Sequence, residues 1–172
     1  GVNAEPLGIF NTTGVTKTDL SAAAIDYSHL VEAVERLETA NVSQSGNWGW
    51  VFHPKAKSFI RRIEDDAGQY IFTGSDGVGQ GMAGNLSSTL LNYPWTATTN
   101  AGLDANSRPY IFFGNWSDVI LGQRKTIEIV ASSEAGTSFE YDQTWLRAVL
   151  RVDVVMRHVE SIQAIHNFTS PS

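Results

Sequence analysis

The chain has 172 residues, 42% of them hydrophobic and 17% charged, and this suits one compact domain, or one with an extension, with enough length to bury a sizeable core. Its formal net charge of -6 argues against a free-standing nucleic-acid binder, which uses Lys and Arg to contact phosphates. It contains no cysteine, which excludes disulfides, thiolate catalysis and cysteine metal sites.

The first half of the sequence predicts two helices and a buried strand. Residues 1–24 are rich in Gly, Asn, Thr and Ser and are expected to be loop with short extended pieces. A helix is predicted from Asp26, a suitable N-cap, to about Ala40, because apolar residues recur there at helical spacing. The aromatic run Trp48–Phe52 predicts a buried strand, and Pro54, at a favoured first-turn position, predicts a second helix.

The second half is predicted to be mostly β. The sequence of residues 65–68 is typical of a turn, and residues 74–88 are a glycine-rich loop. Short strands are expected at 70–72, 89–93, 110–113, 119–121 and 126–131.

The clearest pattern is a period-two alternation over residues 146–156. One face of this predicted strand is wholly apolar, and the other carries arginines. At about 3.3 Å per residue the strand would reach roughly 40 Å, about twice the usual length. Such a strand suits a sheet that meets neighbouring subunits, and a long core strand with a solvated outer face fits the pattern equally well.

Six local patterns in chain order resemble the phage major capsid family of the Hong Kong 97 type, and together they cover nearly the whole chain. They are EPLGIF at 5–10, WVFHP at 50–54, DDAGQYIF at 65–72, LLNYP at 90–94, IFFGNW at 111–116 with Arg124, and a closing set of Phe139, Asp142, Gln143, Arg147, Ala148, Arg151, Val152 and Asp153. Three positions depart from the family pattern: Asn92 stands where glycine is usual, and Asn115 and Trp116 stand where Asp and Phe are usual.

The resemblance implies an α+β fold of the Hong Kong 97-like type. In that fold an A-domain, with a central sheet flanked by helices, lies near the capsomer axis, and a P-domain with an elongated sheet runs around the shell periphery. We expect residues 1–24 to lead into the P-domain, 25–130 to be mainly A-domain, and 131–172 to supply P-domain strands and the C-terminus. The family's N-terminal arm, extended hairpin loop and spine helix are expected upstream of Gly1, so the chain is expected to be the C-terminal portion of a processed or truncated protein.

The function implied by the resemblance is that of a structural subunit of a bacteriophage or prophage capsid, forming hexamers and pentamers around double-stranded DNA. The expected partners are other copies of the chain and the phage scaffold, portal and prohead protease, with packaged DNA contacted only indirectly. The expected location is the virion capsid, after synthesis in the bacterial host cytoplasm. No membrane contact is expected, because no apolar run approaches the roughly 20 residues that span a bilayer. An encapsulin-like protein cage is the alternative with the same fold, and no cofactor is implied.

Seven residues are candidate subunit-interface residues. Three glycines of the glycine-rich loop would let copies pack closely at the capsomer axis, and four arginines would form either inter-subunit ion pairs or a solvated strand face. They are Gly77, Gly79, Gly81, Arg124, Arg147, Arg151 and Arg157. Some family members crosslink the subunits of their shells through a Lys–Asn isopeptide bond, whose formation a Glu assists. Here the Asn and Glu positions hold Asp142 and Val149, so self-crosslinking is not expected.

Two functions of other classes are weaker alternatives. An enzyme is not expected, because the sequence has no cysteine, no nucleophile elbow and no histidine spacing typical of a metal site. Five glycosylation sequons and five tryptophans leave open a soluble glycan-binding β-rich module, although the lack of cysteine counts against a secreted one. The sequons begin at Asn11, Asn41, Asn85, Asn115 and Asn167.

Overall fold

The computed structural model describes residues 7–72, 89–133, 136 and 140–171. These residues divide into two compact units. The sheet unit contains the described residues of Ile9–Asp118 and Arg157–Ser172, and the hairpin unit contains those of Val119–Met156 together with Leu7 and Gly8. The predicted loop at 74–88 lies outside the described residues.

Two helices and eight strands make up the regular structure of the described residues. The helices are α1 (Tyr27–Thr39) and α2 (Pro54–Ile60). The strands are β1 (Thr16–Asp19), β2 (Trp48–Phe52), β3 (Thr89–Leu90), β4 (Tyr93–Ala97), β5 (Ile111–Asn115), β6 (Val119–Ser132), β7 (Trp145–Met156) and β8 (Ile162–His166).

The sheet unit is built on one mixed six-stranded sheet with the order β1-β8-β5-β2-β4-β3. The pairs β1/β8 and β2/β4 are parallel, and the other three pairs are antiparallel. β8 and β5 are neighbouring inner strands of this order, and four of the five residues of β8 and all five of β5 are buried. Helix α1 packs on these two strands, and α2 adds buried residues to the same core.

Local chemistry explains where the helices begin. The Asp26 side chain accepts hydrogen bonds from the backbone amides of Tyr27 and His29, and the Asp26 amide donates to His29 Nδ1. The two contacts with His29 make a reciprocal capping box with histidine in place of the usual Glu or Gln. At α2, His53 Nδ1 accepts the Lys55 amide at 3.1 Å, and Pro54 occupies the first turn. The predictions for both helices are therefore confirmed.

An aromatic cluster fills the centre of the core. The rings of Trp50 and Phe113, on the paired strands β2 and β5, lie 4.2 Å apart, and Trp48 meets Phe113 edge-on at 5.7 Å. Trp50 is fully buried, and its Nε1 donates to the Leu90 carbonyl at 3.0 Å, so its one polar atom is satisfied. The prediction of a buried strand at Trp48–Phe52 is confirmed.

Four sequence-based strand predictions are wrong in detail. Residues 70–72 do not form a strand, since Tyr70 makes only an isolated bridge to Glu64. Residues 89–93 are not continuous, because a turn at Leu91 and Asn92 separates β3 from β4. The strands predicted at 119–121 and 126–131 are one strand, β6, with irregular pairing near Lys125.

Strand β8 was not predicted from the sequence, although it joins β1 to β5. The strand predicted at 146–156 is confirmed as β7, one residue longer at its start. The A-domain and P-domain segments were expected to divide after residues 24 and 130, and these boundaries stay a prediction. The two structural units instead divide between residues 118 and 119 and between residues 156 and 157.

Candidate subunit interface

The hairpin unit is an antiparallel ribbon of β6 and β7, and one of its two faces is apolar. Residues directly opposite each other in such a pair point to the same face. The pairs Ala131 with Leu146, Ile129 with Ala148, and Leu121 with Val154 therefore share one face, which we call the apolar face. Leu150 and Val152 lie on it by alternation along β7.

This apolar face is open to solvent. Leu146, Ile129 and Leu121 are 74%, 69% and 66% exposed. A large exposed apolar patch on a protein marks a contact surface more often than a solvated one. The long apolar face predicted from the alternation is thus present and uncovered.

The opposite face of the ribbon carries the arginines and is called the arginine face. Arg124, Arg147 and Arg151 line one groove on it, together with Glu128 and Val149. In the part of the chain that the structure describes, none of these three arginines forms a salt bridge. The structure therefore brings together three of the four candidate arginines.

Both faces of the ribbon are accessible at once. Every residue of β7 is exposed or half-buried. A core strand with one solvated face, the alternative left open by the sequence, is not what the structure shows. An isolated two-stranded ribbon is only marginally stable in water, so this element gains from covering by other polypeptide.

Arg157, the fourth candidate arginine, belongs to a different cluster in the sheet unit. It follows β7 directly, and its Nε and Nη2 donate to Asp118 Oδ1 at 3.0 and 2.6 Å. Asp118, which directly precedes β6, also accepts from Ser161 Oγ at 2.7 Å and from Asn115 Nδ2 at 3.0 Å. The carboxylate is 3% exposed, whereas the Arg157 side chain is 61% exposed.

These contacts fix the charge state of Asp118. Burial alone would raise the pKa of the Asp118 carboxyl, but hydrogen bonds from Ser161 and Arg157, with the positive charge of Arg157, outweigh it and hold that pKa below its usual value. The Arg157 amide also donates to the Asp118 carbonyl at 2.8 Å. The cluster therefore joins Asp118, just before the ribbon in the sequence, to Arg157, just after it. Arg157 thus stabilises the fold of its own chain.

Sequence reasoning did not identify this cluster. Asn115 was noted only as a departure from the family pattern and as the start of a sequon, yet it is 3% exposed and its side chain holds Asp118 in place. Two features of the sequence could have indicated the cluster. Asn115 and Asp118 lie three positions apart beside a turn, and Arg157 follows the long strand directly. The candidate glycines Gly77, Gly79 and Gly81 lie outside the described residues.

The alternative functions find little structural support. Among the described residues, no group of three His, Cys, Asp or Glu side chains is placed to hold a metal ion. Trp48 and Trp50 are core residues and cannot line a sugar-binding surface. The sequon residue Asn115 is buried, so a glycan could not occupy it in the folded chain. Within the described ranges, no helix is both long and apolar enough to cross a membrane.

A sequence model described as the Phage capsid family matches residues 1–167. The chain belongs to this family. Comparison with curated protein sequences gives no match. The resemblance read from the six local patterns is thereby confirmed.

Solved structures with the same fold come from phages and from related particles. The capsid of a native GTA particle matches with a TM-score of 0.67 at 18% identity, over 98% of this chain and 58% of that one. A structure from Gordonia phage Cozz matches with a TM-score of 0.64 at 14% identity, over 99% and 54%. An encapsulin complex from Synechococcus elongatus matches with a TM-score of 0.53 at 12% identity, over 96% and 59%.

These likenesses establish the fold. The α+β, Hong Kong 97-like fold class expected from the sequence is confirmed. The chain spans less than two thirds of the length of each of these solved chains.

Proposed function

We propose that this chain is part of the structural subunit of a bacteriophage or prophage icosahedral capsid. Copies of that subunit assemble into hexamers and pentamers that enclose double-stranded DNA. Family membership supports the capsid role. The observation that carries the assembly role is the exposed ribbon of β6 and β7, whose apolar and arginine faces are both left uncovered by the described residues.

The energetics favour covering the apolar face. Fully burying a Leu or Ile side chain contributes roughly 1.5–3 kcal/mol. Leu121, Ile129 and Leu146 each keep most of their surface in water, so each can contribute a large part of that amount in a contact. In a closed shell the same contact is repeated by symmetry, so modest interfaces add up to a stable particle.

The division into two units supports a proposal for the domain roles. The sheet unit corresponds to the A-domain, and the hairpin unit supplies P-domain strands. The wider partner set is the phage scaffold, portal and prohead protease, with DNA touched only indirectly, and the chain acts in the virion capsid without catalytic chemistry of its own.

The test uses the full-length protein, examined by negative-stain electron microscopy and sedimentation velocity. Shells of capsid size are expected from the wild type. Ile129→Asp with Leu146→Asp, which places charge on the apolar face, should abolish shells while the sheet unit keeps its fold. Leu103→Asp is the matched control, because Leu103 is an exposed leucine of the sheet unit. A full-length protein that stays monomeric under all assembly conditions would refute the proposal.

An encapsulin-like cage is the second candidate, favoured by the likeness to the Synechococcus elongatus complex. The phage and GTA likenesses have the higher TM-scores, which favours a genome-packaging shell. The contents of purified particles separate the two, since nuclease-protected DNA supports the capsid and an enclosed protein supports the cage.

A further inference from the structure

A groove on the sheet unit carries more negative charge than its own chain balances. Helix α1 contributes Glu32, Glu35 and Arg36 to it, and the turn before β8 contributes Glu160. Strand β8 contributes Gln163. We call this the acidic groove.

The only arginine of the acidic groove is already occupied. Arg36 Nη2 is paired with Glu32, one turn earlier on α1, and Arg36 Nη1 donates to Thr18 Oγ1 at 2.9 Å. Within the described residues, Glu35 and Glu160 have no ion pair. Three carboxylates thus face one guanidinium, and two negative charges remain unbalanced.

Gln163 is a second and independent sign that a donor is missing from the acidic groove. Its side chain is buried, at 3% exposure, and its Oε1 has no hydrogen-bond partner in the described part of the chain. A buried acceptor without a partner costs about 1–3 kcal/mol, and native structures rarely leave one unsatisfied. Because Oε1 is itself covered, a ligand that brings N–H groups into the groove removes that cost only when the Gln163 side chain turns toward it.

The chemistry of the acceptors selects the ligand class. The carboxylates do not converge as a metal site requires, since no such group of three occurs among the described residues. A guanidinium presents five N–H donors across a flat fork and can serve acceptors that lie apart. The acidic groove therefore suits an arginine side chain.

The same chain carries arginines that lack partners. Arg124, Arg147 and Arg151 gather on the arginine face of the ribbon and form no salt bridge among the described residues. They are a source of guanidinium groups in a chain with net negative charge. Because subunits of a shell meet through unlike surfaces, a basic ribbon on one copy and an acidic groove on another are complementary.

Building on the capsid role proposed above, we propose that the acidic groove is a docking site for an arginine of the β6–β7 ribbon of a second copy of the chain. The guanidinium donates to Glu35 and Glu160 and to the Gln163 amide oxygen. The contact is heterologous, because the donor and acceptor surfaces belong to different parts of the chain.

The test reverses each side of the contact in the full-length protein. Glu35→Arg with Glu160→Arg should weaken self-association at least tenfold in sedimentation velocity, and Arg147→Glu with Arg151→Glu should do the same. A protein with all four changes should regain association, because every contact is again between unlike charges. Glu38→Arg is the matched control, since Glu38 lies on α1 but does not line the groove.

A mixture of the two doubly substituted proteins tests whether the contact joins separate copies. Each carries the partner surface that the other needs, so the mixture should form oligomers that neither forms alone. Because the chain has no cysteine, Glu35→Cys on one copy and Arg147→Cys on another can also be joined by a short bis-maleimide reagent. Thermal unfolding of each variant checks that the sheet unit still folds.

The outcomes separate this proposal from the capsid role. If the wild type forms shells and both reversed proteins associate as well as it does, the docking site is wrong and the capsid role stands. The control for cross-linking is Glu38→Cys on one copy with Arg147→Cys on another. A mixture that stays dissociated, with no more cross-linked product than this control gives, also overturns the docking site. A wild type that never assembles refutes the capsid role on which the docking site rests.

Discussion

Replacing Asp118 with alanine should destabilise the sheet unit well beyond the effect of an average surface substitution. The carboxylate is buried and accepts four hydrogen bonds, from Asn115, Ser161 and two nitrogens of Arg157. Its loss leaves the buried donors of Asn115 and Ser161 without an acceptor, at about 1–3 kcal/mol each. The Arg157 side chain is mostly exposed and returns to water, so it adds little. The expected loss is about 2–6 kcal/mol, or roughly 4–24 °C in Tm for a chain of this size.

The measurement is urea unfolding followed by tryptophan fluorescence, since the buried residues Trp48 and Trp50 report on the sheet unit. Asp118→Asn keeps one acceptor oxygen and should fall between the wild type and the alanine variant. Asp66→Ala removes an exposed carboxylate and should stay within about 0.5 kcal/mol of the wild type. An Asp118→Ala protein as stable as this control would refute the reasoning.

The pH dependence provides a second check on Asp118. The pKa of Asp118 is lower in the folded chain than its usual value of 3.8, so the unfolded chain binds the proton more readily. The stabilisation is complete above the unfolded pKa and is lost as the pH falls through the lowered folded pKa. The stability difference between the wild type and Asp118→Ala should therefore shrink below about pH 4. A difference that grows as the pH falls would contradict the assigned direction.

Three further substitutions test the core, a helix cap and a close approach. Trp50→Ala should lower the free energy of urea unfolding by about 3–5 kcal/mol, because it empties a large fully buried volume, and Trp50→Phe should cost less. Asp26→Ala removes the cap of α1 and should cost about 0.5–2 kcal/mol in thermal unfolding, and an unchanged Tm would argue against the cap. Gly114→Ala should destabilise by about 1–3 kcal/mol, because the new Cβ would lie 2.3 Å from a carbonyl oxygen, whereas at Gly122 the nearest atom is 3.7 Å away and Ala should be tolerated. Equal effects at the two glycines would contradict the packing argument.

Elements with strong local signals were predictable from the sequence. The bounds of α1 followed from the Asp26 cap and the helical spacing, and β7 followed from its alternation. Both signals are encoded within a dozen neighbouring residues and need no tertiary information. The same reasoning placed Arg147 and Arg151 on one face, and the structure shows them lining one groove.

Elements fixed by distant partners were not predictable in this way. β8 is five residues long and carries the buried polar residue Gln163, so its alternation is weak, and it becomes a strand because β1 and β5 pair with it on either side. The turn between β3 and β4 has φ values of 51° at Leu91 and 67° at Asn92. Asparagine tolerates this left-handed region better than most residues, which explains why it can stand where the family pattern has glycine.

The Asp118 cluster also lay beyond local reasoning. Asp118 and Ser161 are separated by 43 positions in the chain, and the hydrogen bond between them forms only once β5 and β8 are paired. No window of sequence shows that these side chains share a buried site. The acidic groove has the same origin, since Glu35 and Glu160 come together only through the packing of α1 beside β8.

Under the proposed capsid role, the two units divide the tasks of folding and assembly. The sheet unit has a dense aromatic core and a hydrogen-bonded cluster at Asp118, and these contacts need no second copy. The ribbon instead keeps its apolar side chains in water, where they stabilise nothing until they are covered. Its arginines and the irregular pairing around Lys125 are features that protect exposed strands from random pairing. A subunit built this way can fold first and remain in solution, and the free energy of assembly then comes from surfaces that folding has left unused.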